Sequence, residues 1–151
     1  MKIINVNNLP SFSKEIELIE LKDQSQSFVN FFESVQAGFP SPADDYQVKK
    51  LSLDERYLSK KNSTFIVKVV GNSMNPTLIE KDLLVVRSDL NIEDGQIGIF
   101  SVNSSEFTVK RLDVKRSILI ADNKNHKNIT INESDTIISL GRVVTLFREF
   151  V

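Results

Sequence analysis

From Phe65 to the C-terminus the sequence is a succession of short apolar runs separated by turn-forming residues. The runs are rich in Val, Ile and Leu, a composition typical of β-strands. The strand candidates are Phe65–Val70, Leu83–Arg87, Ile97–Val102, Phe107–Leu112 and Ser117–Ala121. Many short strands joined by tight turns predict a mostly β fold, with a compact, bent antiparallel sheet or partial barrel.

Two further segments refine this prediction. The tetrapeptide Asn103-Ser104-Ser105-Glu106 lies between two strand candidates and predicts a hairpin. A last stretch, Thr136–Phe150, carries Gly141 in its middle, where a strand can bend or bulge. The apolar residues of this stretch are expected to belong either to the core or to a subunit interface. They are Val143, Val144, Leu146 and Phe147.

The first third of the chain has a different pattern. Four apolar residues have the spacing of an amphipathic helical turn: Phe28, Phe31, Phe32 and Val35. Gly38 and the two prolines that follow it end any helix and favour extended backbone. We therefore predict an N-terminal arm over residues 1–37, a linker over 38–64 and a β-rich domain over 65–151.

The composition excludes several classes of protein. The chain has 151 residues, enough for one domain, and a formal net charge of −1, so no overall basic field attracts nucleic acid. Cysteine is absent, which excludes disulfides, cysteine–zinc sites and cysteine nucleophiles. The N-terminus lacks the apolar run of a secretory signal, and no apolar run is long enough to cross a bilayer. We expect a soluble, cytoplasmic protein without a metal or cofactor.

A candidate nucleophile follows the first of these strands, in the string Gly71-Asn72-Ser73-Met74. Glycine permits a sharp turn there, and Pro76 favours the first turn of a short helix. Such a turn exposes a side-chain oxygen and directs backbone N–H groups outward, as an oxyanion hole requires. The alternative is that Ser73 is a helix N-cap.

A candidate base lies 37 residues further on, at Lys110. Strand alternation places Thr108, Lys110 and Leu112 on one face, so an inward Leu112 implies an inward lysine. Burial disfavours the charged ammonium, and a neutral amine can take a proton from a serine hydroxyl. The alternative is a lysine at the strand edge that extends to water. Arg111 is expected on the opposite, solvated face.

The other titratable side chains do not form a competing catalytic group. His126, the sole histidine, lies in a polar stretch that predicts an exposed loop. A serine–histidine–acid arrangement is therefore not favoured. The strings Asp44-Asp45 and Glu93-Asp94 are expected in solvated turns.

Three strings together resemble the LexA/UmuD family of self-cleaving serine–lysine peptidases, and within it the UmuD branch. Gly71–Met74 resembles the nucleophile motif, and Phe107–Leu112 resembles the lysine strand. The segment Val35–Ala43 resembles the cleavage region, including its two prolines, and offers a bond between small residues at Ala37–Gly38.

The resemblance implies a role for each of these residues. Ser73 is then the nucleophile, Lys110 the general base, and Ala37 with Gly38 the scissile pair. It further implies a homodimer of the SOS response, cleaved under stimulation by RecA on single-stranded DNA. The shortened chain would assist a UmuC-like Y-family polymerase in translesion synthesis.

The chain also departs from the family pattern. Ala37 stands where UmuD proteins often have cysteine, Lys81 stands where glycine is frequent, and the arm is longer than usual. Two alternatives remain open. One is a LexA-like repressor that uses this domain to dimerise, although residues 1–37 are few and slightly acidic, so we expect no sequence-specific DNA binding. The other is a peptidase that cuts other proteins.

Overall fold

The computed structural model describes residues 3–5, 15–19, 29–31 and 49–150. By its internal contacts the chain divides into two compact units, one of Met1–Leu21 with Lys61–Val151 and the other of Lys22–Lys60. The strands of the first unit are β1 (Ile3–Asn5), β2 (Ile16–Ile19), β5 (Thr64–Val69), β6 (Leu83–Arg87), β7 (Ile97–Val102), β8 (Thr108–Asp113), β9 (Ile118–Ile120), β10 (Ile129–Thr130) and β11 (Ile137–Phe147). The second unit contains β3 (Val29–Phe31), β4 (Lys49–Leu51) and the helix α1 (Leu53–Leu58).

Among the described residues, the strands of the first unit form one sheet in the order β10–β9–β8–β7–β11–β6–β5–β2, with β1 beside β11. Neighbouring strands are antiparallel except for the β1–β11 pair. The sheet is open and curled into a half-barrel. The predicted fold class is confirmed, and the five strand candidates coincide with β5 to β9 to within one residue at each end.

The longest strand, β11, bends at Gly141. Its first part pairs with β7 and its second part with β6, and the register with β7 shifts between Ser139 and Gly141. Gly141 has a φ of 149°, and a Cβ atom there would lie 2.5 Å from the carbonyl oxygen of Arg87. Only glycine fits this position, so the predicted bend is confirmed.

The core lies on both faces of the sheet because successive strand residues point to opposite sides. On β7, Ile99 packs into the larger cluster and Phe100 into the smaller one. The larger cluster also contains Ile16, Val67, Val69, Met74, Leu78, Leu84, Val86, Phe107, Val109 and Leu140. At the end of β11, Val143 and Leu146 pack against this cluster, whereas Val144 is exposed. The C-terminal apolar run therefore contributes to the core in part.

In the second unit, β3 and β4 form an antiparallel pair. The helix α1 begins after Ser52, whose hydroxyl accepts the Glu55 N–H, and it lies within the predicted linker. The predicted helical turn is wrong for Val29–Phe31, which form β3. Apolar residues at Val29 and Phe31 also have the two-residue period of a strand, and pairing with β4 satisfies their backbone. The rest of that predicted turn, and the predicted bond Ala37–Gly38, lie outside the described residues.

No helix in the described part of the chain is long and apolar enough to cross a membrane.

Candidate active site

Residues 71–78, which we call the serine turn, follow β5 and carry Ser73. The turn is anchored by Met74 and Leu78, both buried, and the Leu78 N–H donates to the Met74 carbonyl. The predicted short helix does not form, and these residues make consecutive turns instead. Proline disfavours helical backbone in the residue before it, which here is Asn75.

The loop over residues 122–128 holds the serine turn from the side. The Asn123 N–H donates to the Ser73 carbonyl at 2.9 Å, and the Asn123 side-chain amide donates to the Asn72 carbonyl at 2.9 Å. His126 Nε2 lies 2.7 Å from Asn72 Oδ1. His126 is exposed, as predicted, but it contacts the serine turn, which the sequence did not indicate.

Lys110 on β8 points inward and is only 4% exposed. Its Nζ lies 2.9 Å from Ser73 Oγ, 3.0 Å from Thr108 Oγ1 and 3.0 Å from the Val109 carbonyl oxygen. The strand alternation therefore brings Thr108 and Lys110 together, and the alternative of a water-facing lysine is wrong. Ser73, 3% exposed, contacts Lys110 and does not cap a helix.

Arg111 was expected to be solvated, and its side chain is 31% exposed but also bonded to the protein. Its guanidinium makes two hydrogen bonds to Asp122, at 2.9 and 2.6 Å, and a third to the Gly95 carbonyl. Burial alone raises the pKa of Asp122, but hydrogen bonds from Arg111 and Thr77 and the charge of Arg111 outweigh it and hold that pKa below its usual range. Asp122 precedes Asn123, so β8 is tied to the loop that holds Ser73.

A residue that sequence reasoning missed, Glu15, completes the cluster. Its Oε2 accepts hydrogen bonds from Thr108 Oγ1 at 2.6 Å, Ser73 Oγ at 3.0 Å and Lys110 Nζ at 3.1 Å. Burial raises the pKa of Glu15, but the Thr108 hydrogen bond, the charge of Lys110 and the remaining hydrogen bonds together lower it below its ordinary value. The carboxylate is therefore ionised at neutral pH.

These side chains line an open groove of about 470 Å³. Its lining comprises Glu15, Ser73, Ser105, Glu106, Thr108, Lys110, His126, Lys127 and Ile129. A buried hydroxyl in contact with a buried amine at the bottom of a groove is the arrangement that serine–lysine acyl transfer requires.

Comparison with known proteins identifies the family. The profile of the family described as Peptidase S24-like matches residues 30–144, which is more than half of the chain. Protein MucA of Salmonella typhimurium is 33% identical over 117 residues, covering 76% of this chain and 80% of MucA. The chain therefore belongs to the Peptidase S24 family, the LexA/UmuD family, and the resemblance seen in the sequence is confirmed.

Two further relatives are similar over different lengths. Protein ImpA of Shigella flexneri is 42% identical over 83 residues, covering 54% of this chain and 57% of ImpA. The LexA repressor of Staphylococcus aureus (strain Newman) is 30% identical over 152 residues, covering 93% of this chain and 71% of the repressor. Family membership and the UmuD-like relatives support a serine peptidase of the self-cleaving type with a role in SOS mutagenesis.

Proposed function

We propose that this chain is a self-cleaving serine peptidase in which Ser73 is the nucleophile and Lys110 the general base. The observation that carries the proposal is the 2.9 Å contact between Ser73 Oγ and Lys110 Nζ, both buried. His126 lines the same groove, but its Nε2 bonds to the Asn72 side chain rather than to Ser73 Oγ. It belongs to the support of the serine turn, so the lysine is the base that the geometry favours.

The chemistry runs in two stages. The neutral Lys110 amine takes the Ser73 hydroxyl proton as Oγ attacks the Ala37 carbonyl carbon. The bond to the Gly38 nitrogen then breaks, and the Lys110 ammonium returns the proton to the departing amine. A water molecule hydrolyses the Ala37 ester in the same way, which regenerates the serine and leaves a carboxylate on Ala37.

The wider function follows from the resemblance and from the relatives. We propose that cleavage removes residues 1–37 and leaves a linker over 38–64 attached to the β-rich domain over 65–151. RecA bound to single-stranded DNA would stimulate the reaction in the cytoplasm during the SOS response. The shortened homodimer would then serve a UmuC-like Y-family polymerase in translesion synthesis.

Incubation of the purified full chain between pH 7 and pH 10, with and without RecA on single-stranded DNA, tests this proposal by intact mass spectrometry. We expect two products, residues 1–37 and 38–151, and faster cleavage with the filament. Ser73→Ala should give neither product, because the nucleophile is gone. Ser105→Ala is the matched control, since it removes a hydroxyl from the same groove without touching Lys110. Cleavage of Ser73→Ala at the same bond would contradict the assignment.

The position of the bond has its own test. Gly38→Glu places a long charged side chain where the extended segment must approach Ser73, so self-cleavage should stop while the domain stays folded. Circular dichroism checks the fold, and intact mass checks cleavage. If Gly38→Glu is still cut after residue 37, the bond is placed wrongly.

A further inference from the structure

The strand β2 and the residue before it, Glu15, lie beside the serine turn that carries Ser73. The strand pairs antiparallel with β5 from Ile16 to Ile19, and the Glu15 carbonyl extends this pairing by accepting the Val70 N–H at 2.6 Å and the Gly71 N–H at 3.1 Å. The backbone of residue 15 therefore lies beside the start of the serine turn. The Glu15 carboxylate, 3.0 Å from Ser73 Oγ, therefore has to move away before that oxygen can attack a peptide carbonyl.

The glycine of the serine turn permits this close approach. A Cβ atom on Gly71 would lie 2.9 Å from Glu15 Cγ and 3.3 Å from Glu15 Cα, the first of which is shorter than real Cβ contacts. Gly71 thus has a packing role towards β2 in addition to allowing the turn.

The donors around Glu15 form a carboxylate-binding site. Ser73, Thr108 and Lys110 all donate to the one oxygen Oε2, and the Glu15 side chain is 28% exposed. The other charged or titratable side chains lining the same groove are Glu106, His126 and Lys127. The Lys110 Nζ lies 3.1 Å from the Glu15 carboxylate, within ion-pairing distance.

The directions of the hydrogen bonds oppose catalysis. The Lys110 ammonium donates to Ser73 Oγ, and the Ser73 hydroxyl donates to Glu15. General-base catalysis needs the reverse order, in which the serine hydroxyl donates to a neutral amine. With Glu15 in place, the Ser73 hydroxyl is bonded to the carboxylate, and the Lys110 amine bonds to Glu15 and Thr108 as well as to Ser73.

We propose that Glu15, held beside the serine turn by β2, is an internal occupant of the groove, with its carboxylate bound to Ser73, Thr108 and Lys110. The inference rests on the proposed function of Ser73 and Lys110. The occupant has to leave before Ser73 can act on a peptide, so the same three donors that serve the reaction also bind the carboxylate that suppresses it. Release of Glu15 frees Ser73 Oγ and Lys110 Nζ to contact a peptide.

The test compares Glu15→Gln with Glu17→Gln in the full chain. Both variants neutralise a glutamate of the same strand, but Glu17 is exposed and pairs with Lys68 at 3.2 Å, away from the groove. We expect Glu15→Gln to raise the rate of unassisted self-cleavage at pH 7.5 by about tenfold or more, because the neutral amide binds the three donors more weakly than the carboxylate does. Glu17→Gln should behave as the wild type does.

A second measurement does not depend on cleavage. In a Ser73→Ala background, which keeps the chain intact, amide hydrogen exchange at Val70 and Gly71 reports whether residue 15 stays docked. Glu15→Gln should accelerate exchange at both amides by about tenfold, and Glu17→Gln should leave it unchanged.

The outcomes separate the two proposals. A wild type that cleaves, with Glu15→Gln equal to it or slower, overturns the internal occupant and leaves the proposed function standing. If no chain is cut at any pH, the proposed function fails. Hydrogen exchange alone then tests whether the Glu15 carboxylate holds residue 15 in place. Faster exchange confined to Glu15→Gln supports this role, and equal exchange in both variants overturns it.

Discussion

The strands β8 and β2 both bring a charged side chain to Ser73, but they are held in very different ways. β8 lies inside the sheet, bonded to β7 on one side and β9 on the other. β2 lies at the end of the sheet order, with β5 as its neighbour in the described part of the chain. The proposed base thus lies on a strand that is paired on both edges, whereas Glu15 precedes a strand that, in the described part of the chain, is paired on one edge.

The two strands also differ in how many buried side chains they contribute to the core. β8 contributes Val109 to the larger core cluster and Leu112 to the smaller one. From β2 only Ile16 is fully buried, while Leu18 is half-buried and Glu17 is exposed. Fewer buried side chains mean a smaller free energy of docking, so β2 can leave without unfolding the sheet.

The largest expected difference is in stability. Leu112→Ala on β8 should lower the free energy of unfolding by about 2–5 kcal/mol, because it removes a fully buried side chain from a fixed strand. Ile16→Ala should cost less, about 1–2 kcal/mol, because detachment of β2 limits the loss. Urea denaturation of Ser73→Ala chains measures both. Equal losses for the two variants would show that β2 is as integral to the fold as β8.

A smaller effect is expected from the tie between β8 and the loop that holds Ser73. Arg111→Met should slow self-cleavage by about tenfold, because Asp122 loses its partner and Asn123 no longer fixes the serine turn. Arg116→Met is the matched control, since it breaks an exposed arginine–aspartate pair on the surface. The time course of intact mass gives the rates. Equal cleavage rates for Arg111→Met and the control would show that the loop over residues 122–128 does not position Ser73 for cleavage.

The smallest effect is expected in the turn before β6. Lys81 is exposed and has a φ of +76°, in the left-handed region that favours glycine. Lys81→Gly should stabilise the fold by about 0.5–1 kcal/mol and leave the cleavage rate unchanged, because the hydrogen bond from the residue 81 N–H to Val69 is kept. Thermal unfolding provides the measurement, and a lower melting temperature would contradict the strain argument.

The difference between β8 and β2 also explains what the sequence predicted. β5 to β9 are runs of Val, Ile and Leu bounded by turn residues, and such runs specify strands locally. The inward Lys110 followed from alternation with Leu112. The same alternation placed Thr108 on the face of Lys110, although the contact between the two side chains was not predicted.

The missed parts depend on contacts between distant segments. Glu15 lies 58 residues before Ser73 and 95 before Lys110, and nothing in its neighbourhood marks a site. Neither β2 nor its pairing with β5 was predicted. Arg111 was expected in solvent because alternation gives a face and does not reveal that Asp122 covers it. The arginine's partner is set by the tertiary fold, which a strand pattern does not contain.

The most direct test of the central claim is the pH dependence of unassisted self-cleavage in wild type and Lys110→Arg. A lysine amine becomes neutral in larger fraction as the pH rises, so the wild-type rate should increase from pH 7 to pH 10. Arginine keeps its charge over this range. We expect Lys110→Arg, shown by circular dichroism to be folded, to have no measurable cleavage near neutrality. Cleavage by Lys110→Arg at the wild-type rate at pH 7 would contradict the role of Lys110 as the base.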